Sequence, residues 1–225
     1  MIAAMEPSPT RTIVEALTRA IVEHRLQPGT KLAEQKLADH FGVSRTLVRQ
    51  ALFQLVQKHL VRMEPARGAF IAVPTVEEAR QVFQVRRLLE AEMTREFVRK
   101  VTPARLKALR EHLAQEKAAL ERPDAGERQQ LLGDFHVRMA ELADNAVLAQ
   151  IVRDLVSRSS LITLMYQRAN FATHSQQEHV ELVKALAARD EDRAVALMEE
   201  HLRHVEESLA FDRVFPSNDI ALALA

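Results

Sequence analysis

Residues 32–60 read LAEQKLADHFGVSRTLVRQALFQLVQKHL, and the reading of this stretch decides the fold of the N-terminal third. Two short amphipathic helices are predicted, Glu34–Phe41 and Ser44–His59, parted only by Gly42-Val43. Ala38 is small where the helices must approach, and Gly42 supplies the positive φ that a tight inter-helix turn requires. Ser44 is placed to cap the second helix. Val48, Leu52, Leu55 and Val56 form its inward stripe, while Arg45, Thr46, Arg49 and Gln50 project from the opposite face of its first turns. This is the anatomy of a helix-turn-helix, whose second helix presents its N-terminal end to base edges. An arginine there grips guanine O6 and N7 bidentately, worth about 1–3 kcal/mol of discrimination per base pair. Two arginines at this spacing would by themselves read as solvated charges. The glycine turn before them and the hairpin after them reverse that balance.

Upstream, a helix is predicted from Arg11 to His24, with Ile13, Leu17, Ala20 and Ile21 on one face, and Gln27-Pro28-Gly29 ends it. Downstream, Leu60–Val73 has the strand formers of a hairpin, LVRME and AFIAV, around Ala66-Arg67-Gly68. Val73-Pro74 closes this part. Thr75-Val76-Glu77-Glu78 is a capping box that opens a new helix, and the pattern stays helical almost to the end. Thr102-Pro103 is an N-cap with proline at the first helical position. Residues 122–126 read as a loop and Asp144-Asn145 as a break, with Asn145 a cap. Ser175-Gln176-Gln177-Glu178 reads as a second capping box, and Asp190 starts a final long helix. The fold class is therefore mainly α: an N-terminal winged helix-turn-helix with a small β-hairpin wing, then an all-α bundle of about six helices. The expected boundaries are an arm at 1–10, a DNA-binding domain at 11–73, a linker at 74–77, a helical ligand-binding and dimerisation domain at 78–211, and a tail at 212–225.

Composition bounds the function. The chain of 225 residues has no cysteine, which excludes disulfides and thiolate metal sites and suits a reducing compartment. It has no signal-peptide pattern and no apolar run of spanning length, so a cytoplasmic protein without membrane contact is expected. The formal net charge is zero. Residues 1–74 nevertheless carry ten Lys and Arg against six Asp and Glu, and the remainder has the opposite excess. A basic head on an acidic body suits a module that meets phosphates at one end.

Three of the nine histidines stand out. His136 lies one turn after Leu132 and one before Met139 and Ala140. His179 shares a stripe with Leu182, Val183 and Leu186, and His201 lies between Leu197-Met198 and Val205. Each falls on the inward side of a different predicted helix, whereas His24, His40, His59 and His112 show no such pattern. An inward imidazole must find a hydrogen-bond partner or a metal. On spacing alone, three separately satisfied core histidines and three converging on one ion are both open.

The run PGTKLAEQKLADHFGVSRTLVRQAL, followed by a hairpin ending RGAFIAV, resembles the winged helix-turn-helix of GntR-family repressors. The likeness covers residues 11–73. It implies that Arg45 and Arg49 read bases, that Ser44 and Thr46 contact phosphates, and that the wing tip at Arg67-Gly68 enters the minor groove. Leu47, Gln50 and His59 stand where the family has Pro, Glu and Gly. The segments VRRLLEAE, FHVRMAELADN and EHVELVKALAARDEDRAVALMEEHL resemble the FCD-type effector domain of the same regulators, over roughly residues 78–211. That likeness implies a divalent metal ion, zinc or nickel, on His136, His179 and His201. The family's aspartate, four residues before the first histidine, is replaced here by Leu132. Asp134 is only two residues before His136 and is expected to point away. The site is then either completed by water or effector, or has lost its metal.

Arg86 matches an arginine that faces the effector cavity in such proteins, and Arg158 and Tyr166 are further candidates to line it. Imidazoles, a cation and an arginine together favour a small carboxylate effector. The expectation is a ligand-responsive repressor, a homodimer on a palindromic double-stranded DNA operator, and not an enzyme. A metal-dependent hydrolase using the three histidines is the rival reading, but no general base is placed for it. A nonspecific architectural DNA binder sits poorly with zero net charge.

Overall fold

A computed structural model describes residues 8–23, 25–122, 125–167 and 171–211, with the backbone alone at 125–126 and 171–173. The chain divides into two compact units, Met1–Val73 and Pro74–Ala225. Most of the expected arm, His24, part of the 122–126 loop and the expected tail lie outside the described residues.

The first unit is built from α1 (Pro9–Val22), β1 (Lys31–Leu32), α2 (Glu34–Phe41), α3 (Arg45–Gln57), β2 (Val61–Glu64) and β3 (Gly68–Ile71). Helix α1 starts at Pro9, inside the stretch expected to be an arm, because Ser8 caps it and proline suits its first turn. Gly42 ends α2 in the left-handed region at φ 63°, the conformation that glycine adopts without cost. Ser44 then caps α3 through Leu47 N. Ile13, Leu17 and Ile21 of α1 pack with Val48, Ala51, Leu52 and Leu55 of α3, all buried. The hairpin β2–β3 pairs antiparallel with Glu64 opposite Gly68. A third strand joins it that the sequence did not signal: Lys31 pairs with Phe70 and Leu32 with Ala69, giving the order β1-β3-β2.

Among the described residues the second unit has six helices: α4 (Val76–Arg99), α5 (Pro103–Leu120), α6 (Ala125–Leu142), α7 (Ala146–Tyr166), α8 (Phe171–Ala188) and α9 (Glu191–Glu207). The Thr75–Glu78 capping box is made in both directions, so helix begins at Val76, within the expected linker. Thr102, Asn145 and Asp190 cap α5, α7 and α9. The expected start of a helix at Ser175 is corrected: α8 already begins at Phe171. Ser175 is buried in its interior, and the Glu178 carboxylate is taken by histidines of α9. Helix α4 packs on α9 and α7, α6 on α7 and α5, and α8 on α9 and α5. Met93, Phe97, Leu109, Phe135, Met139, Leu182, Leu186, Met198 and Leu202 fill the main core. A second apolar cluster, including Val82, Phe83, Leu155, Ile162 and Tyr166, lies toward the start of α4.

Candidate nucleic-acid interface and metal centre

In the first unit, Ser44, Arg45, Thr46 and Arg49 are exposed at the start of α3. The two arginines are not loose. Arg45 Nη2 donates to Glu34 Oε2 at 3.1 Å, and Arg49 Nε donates to the same carboxylate at 2.8 Å. The Arg49 hydrogen bond, with Arg45 in support against partial burial, holds the Glu34 carboxyl below the usual range. Glu34 comes from the first turn of α2, so one anion gathers both base-reading candidates on a single face. At the wing, the turn between Glu64 and Gly68 needs positive φ at Ala66 (60°) and Gly68 (99°). Arg67 reaches back to Glu64 and lies 5.2 Å over the Phe70 ring, which Arg62 and Lys31 flank at 5.7 and 5.9 Å. Of these three cations only Arg67 is marked by the sequence, because Lys31 comes in on β1, a strand without a local signal.

The second unit brings its three inward histidines together. His136 on α6, His179 on α8 and His201 on α9 are all buried. His201 Nε2 lies 3.3 Å from His179 Nε2 and 3.3 Å from His136 Nε2. From behind, each ring faces a glutamate of another helix. His179 Nδ1 is 2.9 Å from Glu116 of α5, and His201 Nδ1 is 2.7 Å from Glu178 of α8. His136 Nδ1 is 2.6 Å from Glu90 of α4, a close contact without hydrogen-bond alignment.

These carboxylates are ionised. Burial opposes ionisation of Glu90, but Arg86 and His136 outweigh it and hold the carboxyl at about 2. For Glu116, likewise, burial is outweighed by His179 and His112. Burial above all pushes His136 down to about 4 and His201 to about 3, so these two imidazoles are neutral. A carboxylate at Nδ1 selects the tautomer with its proton there and leaves the Nε2 lone pair outward. With that tautomer on all three rings, three lone pairs meet, a repulsive arrangement that a cation among them relieves. Nitrogen–zinc bonds of about 2.0–2.1 Å in a tetrahedron place the nitrogens roughly 3.3–3.4 Å apart. The donor set therefore fits a divalent metal ion.

Beside the histidines opens a recess with about 440 Å³ of empty space, including its solvent mouth. Arg86, Leu132, Ser159, Ser160 and Thr163 line it together with the three imidazoles. Arg86 is buried, donates to Glu90 at 2.6 Å and to Ser159 Oγ at 3.1 Å. Leu132 stands one helical turn before His136, so an apolar side chain occupies the wall where an aspartate would reach the cluster. Asp134 keeps other company: burial lifts its carboxyl, and His112 is the charged group that most opposes this.

Two of the expected effector contacts do not line this recess. Helix α7 faces the recess with Val156, Ser159, Ser160 and Thr163. Tyr166 belongs to another stripe, with Leu155 and Ile162 in the second apolar cluster, and its hydroxyl donates to Pro74 O at 2.9 Å. Arg158 is half-exposed and is not among the lining residues. The three glutamates were missed because each acts from a different helix than its histidine. A local signal did exist, in the His-x-x-x-Glu spacing of His112/Glu116 and His174/Glu178.

Residues 9–71 match the family described as bacterial regulatory proteins, gntR family, and residues 81–204 match the FCD domain. The chain belongs to the GntR family, FCD type. It is thus a DNA-binding transcription regulator rather than an enzyme, which removes the hydrolase reading. Among similar proteins is the HTH-type transcriptional repressor RspR of Escherichia coli (strain K12), 26% identical over 88% of this chain and 87% of that protein. The HTH-type transcriptional regulator LutR of Bacillus subtilis (strain 168) is 27% identical over 82% of this chain and 94% of its own. A GntR transcriptional regulator from Rhodococcus sp. RHA1 superposes with TM-score 0.79 at 26% identity, over 89% of this chain and 97% of that one. The structure of E. coli McbR/YncC matches in fold with TM-score 0.79 at 22% identity, over 88% and 95%. No helix among the described residues is long and apolar enough to cross a membrane.

Proposed function

We propose that this FCD-type regulator is a metal-centred sensor of a small organic acid and represses a palindromic operator as a cytoplasmic homodimer. The carrying observation is the convergence of three imidazoles, with His201 Nε2 3.3 Å from the Nε2 atoms of both His179 and His136, on the wall of a recess that Arg86 also lines. His136, His179 and His201 hold a divalent ion such as zinc or nickel, with Glu90, Glu116 and Glu178 fixing their tautomers. When bound, the ion supplies a Lewis-acidic anchor for a carboxylate oxygen. Arg86 supplies a second anchor through its guanidinium, pre-oriented by Glu90 and Ser159. Ser160 and Thr163 add hydroxyls at the same wall. Leu132 donates nothing to the ion and leaves a coordination position for water or effector.

At the DNA end, Arg45 and Arg49 read bases, Ser44 and Thr46 meet phosphates, and Arg67-Gly68 enters the minor groove. Dimerisation is supported by apolar side chains left open on α4 and α7: Leu88 is 69% exposed and Val147 71% exposed. Effector binding shifts operator affinity through differential binding to two arrangements of the dimer.

The test begins with an operator selected from random DNA by the full chain. Its affinity is then followed by fluorescence anisotropy against small mono-, di- and tricarboxylates with zinc or nickel present. At least one acid is expected to weaken operator binding by about fivefold or more, and His179→Ala is expected to abolish the response. An operator affinity that none of these acids and neither metal changes would overturn the sensing reading and leave the DNA-binding assignment standing.

A further inference from the structure

We propose that His174, Glu178 and His204 form a second divalent-metal site at the surface, built on the same carboxylate that orients His201. His174 and Glu178 are one turn apart on α8, and His204 follows His201 by one turn on α9. Glu178 Oε1 lies 2.9 Å from His174 Nε2 and 2.5 Å from His204 Nδ1. One ligand atom from each of the three residues falls within 4.8 Å of the others, with the two imidazole rings 5.3 Å apart. Two imidazole nitrogens and a carboxylate oxygen are a donor set for zinc, nickel or cobalt.

The cluster is open to ions from solution. The His174 side chain is 51% exposed and that of His204 33%. Glu200, 4.0 Å from His204 Nε2, adds negative potential on the far side of that ring. Partial exposure leaves room for water to complete the coordination.

Glu178 divides its two oxygens between the sites. Oε1 serves the outer cluster, and Oε2 accepts from His201 Nδ1 at 2.7 Å. A cation on Oε1 draws charge away from the carboxylate and weakens its support of His201. The outer ion therefore lowers the affinity of the inner cluster for its own ion, and the effect is reciprocal. The outer site rests on its own geometry, whether or not the three inner histidines hold an ion.

The experiment is calorimetric titration of zinc into the full chain, stripped with chelator and freed of affinity tag, beside His174→Ala/His204→Ala. Both positions are partly exposed, and circular dichroism melting checks that the double variant folds. His174→Gln, at the most exposed of the three positions, provides a second variant. The wild type is expected to bind one equivalent more than the double variant, and His174→Gln to weaken that equivalent by at least about tenfold. Two equivalents falling to one supports both the outer and the inner site. One falling to none supports the outer site and removes the inner one. Equal stoichiometry and affinity in wild type and both variants, at whatever number, overturns the proposal.

Discussion

His179 and His201 bring their Nε2 atoms to within 3.3 Å while their Nδ1 atoms are held by separate carboxylates, Glu116 and Glu178. Neither ring can turn away without breaking a hydrogen bond to an anion. The helices carrying the glutamates thus force lone pairs toward one point, and His136 adds a third. A buried acceptor left without a donor costs about 1–3 kcal/mol, and a cation at the meeting point gives all three nitrogens a partner.

Leu132 offers a direct probe of the missing fourth ligand. It is buried on the recess wall one turn before His136, so Leu132→Asp places a carboxylate beside the cluster. Zinc or nickel affinity is expected to rise by about tenfold or more, equivalent to about 1.4 kcal/mol. Without metal the same variant is expected to melt lower than wild type, because it adds a buried carboxylate. Paired calorimetric titrations and melts with and without metal check both signs.

Arg45→Ala and Arg49→Ala are each expected to cost about 1–3 kcal/mol on the selected operator, and much less on random DNA. Anisotropy titrations on the two duplexes supply the comparison. Equal losses on both would mean that the arginines only neutralise phosphates.

The open apolar side chains of α4 and α7 bear on assembly. Leu88→Lys puts a charge on a position that is 69% exposed in the chain alone, so its folding should be nearly unaffected. Sedimentation is expected to show a monomer, and operator affinity to fall by about tenfold or more as two-site binding is lost. A variant that remains dimeric would remove this face as the interface.

His59 ends the recognition-helix segment at φ 58°, a left-handed conformation that a residue with a Cβ adopts at a cost of about 1–2 kcal/mol. His59→Gly relieves that cost but adds freedom to the unfolded chain, so a net gain of up to about 1 kcal/mol is expected. Urea unfolding of the full chain, followed at the transition of the DNA-binding unit, measures it. A loss of stability would show that the imidazole makes a compensating contact.

The head was legible because its signals are local. Gly42, the Ser44 cap and the Val48–Leu55 stripe each act within a few residues of themselves. Strand β1 was not legible: two residues, Lys31 and Leu32, become a strand only by pairing with β3, which follows some forty residues later. In the helical unit, inward histidines could be placed by periodicity, since His136, His179 and His201 each share a stripe with apolar neighbours. Their glutamates could not, because Glu90, Glu116 and Glu178 carry charge and read as surface until the packing of other helices buries them. The Ser175–Glu178 pattern misled for a related reason. A serine and a glutamate three apart suit a helix start, but here Ser175 faces the recess and Glu178 serves two histidines of α9. Tyr166 and Arg158 were assigned to the cavity by residue type, whereas the helical period of α7 gives the recess to Ser159, Ser160 and Thr163.

Elemental mass spectrometry of the purified, untagged chain, beside His179→Ala, tests the metal centre most directly. One tightly held equivalent of zinc, nickel or a similar ion is expected in the wild type after gel filtration, and its loss in His179→Ala. A wild-type chain that carries no metal, and takes up none on re-addition, would contradict the three-histidine centre and leave the recess without its anchor.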